Sequence, residues 1–341
     1  MKPLRFIVFS IALGMTAFIS HLHGQDKVEY TDPKTQKSNI LTGDIKEDSV
    51  AGVKVSLDKK REESVSAPNI NRITYADLPV GLKLEYLSIP GMEDRKEFDK
   101  ALKGYKDVLP KLPAGSKTKV QTEFRIAMLA AQIADTPVKT SEAMALLEDY
   151  VKNHSTTWHF STAARTLVRL QIAAEKYKDA LETLDKLSRA PGLPKELKPE
   201  IELATIDILI RDGKEAEALT KITGAMAGLP DGDLQKSRLR IYQIGANKTE
   251  KPDAKVTQLK QIIDTTPDPS LRALAFNTLG DVYRGDKKLR DAMWSYLWVD
   301  VVYNQDRSEH LKALDRLARL FEAMNDPNKS QEYKEKMARL R

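Results

Sequence analysis

Apolar residues between Ser270 and Asn304 recur at helical spacing. Leu274, Leu279, Val282 and Tyr283 mark a first helix, on which Gly280 leaves a flat spot for the close approach of a neighbour. After the polar turn Arg284 to Lys288, the residues Ala292, Tyr296, Val299 and Tyr303 follow at steps of four, three and four. The pattern predicts two antiparallel helices packed as a hairpin. Echoes of it run through the chain. The place of Ala292 is taken by Ala143, Ala180, Ala218, then Ala254 or Lys255, and finally Ser330, so that successive steps are about 37 or 38 residues. Pro191, Pro230 and Pro267 stop successive second helices, and Pro252 begins one, because proline lacks the N–H that would continue a helix. A lone hairpin cannot bury both of its apolar faces, so stacking must supply the partner. Leu146, Leu147 and Val151, then Leu181, Leu184 and Leu187, then Leu219 and Ile222 are the expected continuous core. The last helix, Ser330 to Arg341, is polar and basic and reads as a solvated cap.

Phe276, the Leu279-Gly280 pair, Tyr283, Ala292 and Tyr296 together resemble the tetratricopeptide (TPR) repeat. The resemblance implies a mainly α chain in which residues 118–341 form a TPR-like α-α solenoid. Such arrays hold protein or peptide segments in a concave groove lined by first helices. Carried over by repeat register, that geometry gives Arg165, Arg169, Arg240, Asn277, Asp281 and Arg284 as groove-facing candidates, and the arginines could pair with carboxylates through forked hydrogen bonds. A solvated helix face is the simpler reading for any one of them. Trp294 and Trp298 lie off the Ala292/Tyr296 stripe, which makes this helix apolar on more than one side. It is either sandwiched between repeats or carries an apolar docking patch.

Ahead of the helices the period changes. Lys27 to Thr31, Asn39 to Lys46, Val50 to Leu57, Ser64 to Ala67 and Ile70 to Tyr75 are short alternating or β-branched runs, and Gly43 and Gly52 sit where a strongly bent strand needs no side chain. The run from Asp26 through Val28, Tyr30, Gly43, Ile45, Gly52, Val55, Ser66-Ala67-Pro68 and Ile70 to Tyr75 is similar to small SH3-like or Sm-like barrels. Residues 26–76 are therefore expected to form a small all-β module. Residues 77–117 are expected to form a linker and an atypical first hairpin: Lys96 to Leu109 is helical, whereas Leu78-Pro79 and Ile89-Pro90-Gly91 break regular structure.

The first 24 residues read as a signal peptide, with Lys2 and Arg5 before an apolar stretch from Phe6 to Ser20 and a cleavage site near Gly24. A retained anchor is the other reading, although the run is shorter than the roughly 20 residues a span needs. With no cysteine there is neither a lipid-acceptor thiol nor a disulfide framework. The expected location is periplasmic or secreted, with no membrane span in the mature chain. Cleavage removes two of the 55 basic residues and no acidic one, leaving 53 against 49, a net charge of +4. So weak a bias, with nine basic and nine acidic residues in 26–76 and only Tyr30 and Tyr75 as aromatics there, speaks against nucleic acid.

Catalytic motifs are not found. His154 and His159 are five apart, off the spacing that would put them on one helical face, and read as surface or loop histidines rather than metal ligands. No glycine-rich phosphate loop or nucleophile elbow occurs. Neither an enzyme nor a cofactor is expected. The leading functional expectation is a non-catalytic scaffold or adaptor for protein or peptide partners. A self-assembling component of the cell envelope is the alternative, and an envelope hydrolase a minor one.

Overall fold

The computed structural model describes residues 24–58 and 61–340. The signal peptide expected over residues 1–24 lies outside them except for its last residue. Five antiparallel strands come first: β1 (Asp26–Thr31), β2 (Ser38–Ser49), β3 (Gly52–Ser56), β4 (Glu62–Ser66) and β5 (Ile70–Thr74), in the order β4-β3-β2-β1-β5. Every strand sends residues into one core, from Val28 through Ile45, Val53, Val55 and Val65 to Ile70 and Ile73, which requires the sheet to curl. Two glycines permit the curl. A Cβ on Gly43 would lie 2.2 Å from the Ser56 carbonyl oxygen, and one on Gly52, at φ +142°, would lie 2.0 Å from that of Val65.

Fourteen helices follow among the described residues, pairing as hairpins. These are α1 (Lys83–Asp94) with α2 (Phe98–Val108), α3 (Lys117–Gln132) with α4 (Pro137–Asn153), and α5 (Phe160–Ala173) with α6 (Tyr177–Ser188). Next come α7 (Leu197–Arg211) with α8 (Glu215–Met226), α9 (Leu234–Ala246) with α10 (Pro252–Thr265), α11 (Pro269–Gly285) with α12 (Leu289–Val301), and α13 (Arg307–Ala323) with α14 (Pro327–Leu340). The whole is a TPR-like solenoid preceded by a small antiparallel sheet. Ile89-Pro90-Gly91 does not break the chain as expected but lies inside α1, where burial of Tyr86, Ile89 and Pro90 offsets the one missing backbone bond.

The repeat has two physical roots. The first is the turn between helices. Lys96, Glu175, Gly213, Lys287 and Asn325 each stand two residues before a second helix with φ between 58° and 73°. After each, the next N–H reaches back five residues, as from Lys288 to the Tyr283 carbonyl, closing the first helix with a left-handed residue. The second root is the small residue on each second helix. Ala143, Ala180, Ala218 and Ala292 are fully buried, and Ser330 nearly so. Of the two candidates in the α9/α10 unit, Lys255 takes this position. It is 9% exposed, and its Nζ donates to the Gly245 carbonyl at 3.2 Å while burial pulls its pKa down.

Trp158, just before α5, belongs to the core of the β module. Its backbone N–H donates to Asp48 (2.9 Å) and its indole N–H to the Tyr75 hydroxyl (3.2 Å), while Gln121 of α3 donates to the Ile73 carbonyl (2.7 Å). The sheet is thereby fused to the second and third hairpins. His154 and His159 both lie in the loop between α4 and α5, as expected, but His159 is not at the surface. His159 is 2% exposed, stacked on Trp158 with ring centroids 3.8 Å apart, and burial pushes its pKa well below the usual histidine value. His154 is half-covered and pairs with Glu123 at 2.9 Å.

Gly280 packs flat under Tyr296, whose ring carbon would lie 2.3 Å from an added Cβ. Gly280→Ala is expected to lower unfolding stability by about 1–3 kcal/mol in urea titration, the usual cost of forcing extra volume into a packed core.

Candidate functional site

The last hairpin reaches beyond its neighbour. On α13, Glu309, Lys312, Arg316 and Arg319 follow at steps of three, four and three, and so share one face of the helix. Arg316 donates from Nε (2.8 Å) and Nη2 (2.6 Å) to the two carboxylate oxygens of Asp281 on α11, and the Tyr296 hydroxyl donates to the same carboxylate at 2.8 Å. Lys312 Nζ lies 3.6 Å from Asp207 on α7 and donates to the Tyr242 hydroxyl of α9 at 3.3 Å. Arg319 Nη1 donates to Glu175, in the turn between α5 and α6, at 2.7 Å. In a straight stack each repeat touches only its neighbours. Here the array curves until its last pair meets its third.

Burial sharpens these charges. Asp207 would be raised by desolvation, yet Lys312, Arg211 and Arg316 more than offset this and hold its pKa at about 2. Burial disfavours the charged form of Lys312, but Asp207 and Glu309 outweigh it and raise its pKa. Arg316 is likewise raised by Asp281 against the cost of burial.

Two cavities flank α13. The larger, of 670 Å³, lies between α5 and α7 and is closed by α13. Val168, Ile172, Leu184, Leu187, Leu197 and Ile201 give it an apolar floor. Six cationic side chains line it, Arg165, Arg169, Arg211, Arg307, Lys312 and Arg319, against three anionic ones, Glu200, Asp207 and Asp315. The smaller, of 580 Å³, lies among α7, α9, α11 and α13 and is lined by closely balanced charge.

Of the groove candidates, Arg165 and Arg169 come together in the larger cavity, where Arg165 pairs with Glu200 across from α5 to α7. Asp281 and Arg284 line the smaller one, 3.8 Å apart. Asn277 does not face open space: it is 1% exposed, and its amide donates to the backbone carbonyl (3.0 Å) and the side chain (2.8 Å) of Glu309. Arg240 lines neither cavity and donates to Gln243 on its own helix. Trp294 and Trp298 are on α12, away from both cavities, and are 54% and 48% exposed. Sequence reasoning missed Lys312, Arg316 and Arg319. Their steps of four and three were visible, but their partners on other repeats lie 35 to 144 residues away, and no local period encodes such pairs.

No model of a known protein family matches the sequence, and no curated protein matches it. Among solved structures, the chain is similar to a tetratricopeptide repeat protein from Parabacteroides merdae, at 12% identity and a TM-score of 0.48, over 75% of this chain and 93% of that one. It is also similar to PilF of Pseudomonas aeruginosa, at 13% identity and a TM-score of 0.34, over 76% and 90% of the two chains. For BtubC (BKLC) from P. vanneervenii the values are 14%, 0.30, 67% and 91%.

Asp207 makes the closure acid-sensitive. Its folded pKa of about 2 lies below the ordinary aspartate value of about 3.9, so its contribution is complete above pH ~4 and is lost as pH falls towards 2. In chemical denaturation at stepped pH, the wild type is expected to lose on the order of 2 kcal/mol across that window through this group. Asp207→Asn should lack this segment of the curve.

Proposed function

We propose that the chain is a non-catalytic scaffold that holds a protein or peptide partner in the cavity between α5, α7 and α13. The observation that carries this reading is the pairing of an apolar floor with a cationic surround. An extended segment presenting an apolar side chain and nearby carboxylates matches both features. The apolar group covers the partly exposed Ile172, Leu197 and Leu311, and the carboxylates meet arginines that offer paired donors. Arg165 and Arg319 are each about half exposed, and each is held in place by a surface glutamate, Glu200 and Glu175. An incoming carboxylate replaces a glutamate that costs little to displace, since exposed ion pairs contribute little.

The apolar segment at Phe6 to Ser20 after Lys2 and Arg5, together with the absence of a lipid-acceptor cysteine, supports a periplasmic or secreted setting for this scaffold. The near balance of charge in residues 26–76 supports protein rather than nucleic acid as its partner.

An array of immobilised peptides probed with the protein tests the proposal. Peptides combining an aliphatic or aromatic residue with two or more carboxylates are expected to be retained. The Arg165→Glu/Arg169→Glu variant should bind them on the order of 10-fold more weakly or worse, as loss of charge-assisted hydrogen bonds implies. Retention without regard to peptide charge, or equal binding by the variant, would remove the cavity as the site.

A further inference from the structure

Helix α12 has two apolar faces with different fates. Ala292, Tyr296 and Val299 are fully buried in the array. Trp294, Trp298, Val301 and Val302 are 54%, 48%, 69% and 40% exposed. These four follow at a step of four and then of three or four, the seam along which one helix packs on another. Trp298 is braced from beneath: its ring lies nearly parallel to Phe276, centroids 5.7 Å apart, and 6.3 Å from Tyr303. An indole so supported presents its outer surface at little further entropic cost.

We propose that this seam is a contact between two copies of the chain, in which α12 of one packs antiparallel on α12 of the other about a two-fold axis. Three features carry the inference. The first is area. Aromatic side chains bury about 150–250 Å² each when covered, so two half-exposed indoles and two exposed valines present on the order of 400 Å² of apolar surface. A standard interface covers about 800 Å² per partner, a little over half of it apolar, or roughly 450 Å². The seam is therefore of the size one side of a modest dimer contributes.

The second feature is polarity along the helix. Lys287, Lys288 and Arg290 outnumber Asp286 and Asp291 among the exposed charges at the start of α12, and the seam ends at Val301 and Val302, where the last carbonyls make the helix end negative. Antiparallel pairing lays the basic start of each copy against the negative end of the other. Parallel pairing would set the basic ends together. The third is closure: a two-fold pairing of one seam with itself uses both copies fully and stops at two, so it needs no second adhesive surface. The contact lies away from both cavities, so each copy keeps its groove.

Sedimentation velocity on the full chain across a micromolar concentration series tests the proposal. A reversible monomer–dimer equilibrium is expected, with Trp emission moving to shorter wavelength as the dimer forms. The third tryptophan, Trp158, is already buried and should not shift. Trp294→Glu should weaken dimerisation on the order of 30-fold or more, the loss typical of a central interface aromatic, at unchanged helical circular dichroism. Val301→Glu, at the most exposed seam position, should act in the same direction and decides the matter if Trp294→Glu does not fold. A wild type that stays monomeric throughout overturns the proposal and assigns the seam to a different partner. A dimer that survives both substitutions overturns it equally, because the contact then lies elsewhere.

Discussion

Arg316 of α13 grips both oxygens of Asp281 on α11, and one turn earlier Lys312 stands against Asp207 on α7. Cations withdrawn this far from water are tolerated only when carboxylates meet them, since an unpaired buried charge costs several kcal/mol. The requirement works in both directions. It fixes the side of the array on which α13 must lie, and it fixes how far the array must curve for Asp207 to come within reach. Both cavities are consequences of that curvature: one lies on either side of the helix that the ion pairs hold down.

The same helix links stability to the site. Lys312 and Arg319 help line the larger cavity while pairing with Asp207 and Glu175. Burial separates their roles. Lys312 is deep and its partners are fixed, so it acts as structure. Arg319 is about 40% exposed, and its bond to Glu175 is one that solvent or a ligand can exchange. At the other end of the chain, Trp158 seats the β module on the second and third hairpins, so the sheet has a defined position beside α3 and α5.

Much of the architecture was legible because it is local. The Ala143, Ala180, Ala218 and Ala292 series could be read from spacing, since a small residue is needed wherever second helices pack closely, and all four are fully buried. Gly43 and Gly52 could be read for the same kind of reason: each lies against a carbonyl that no Cβ would clear. Pro90 misled because proline's local preference for ending a helix gave way to the packing of Tyr86 and Ile89. His159 misled because the rings that cover it, Phe124 of α3, Tyr150 of α4 and its neighbour Trp158, are brought together by packing and not by local spacing. The groove was legible only in part. Arg165 and Arg169 follow from repeat register, but the helix that closes the space over them is recruited by pairs such as Lys312 with Asp207, 105 residues apart. Asn277, assigned to the groove by the same register, is covered by that helix.

Hydrogen–deuterium exchange on the full chain, with and without a saturating peptide that carries an apolar anchor and adjacent carboxylates, tests the central claim most directly. The closed-groove account predicts added protection concentrated in α5, α7 and α13, with α8, α10 and the strands unchanged. Protection that falls on the outer helices or the β module, or saturation with no change in α5, α7 and α13, would contradict it.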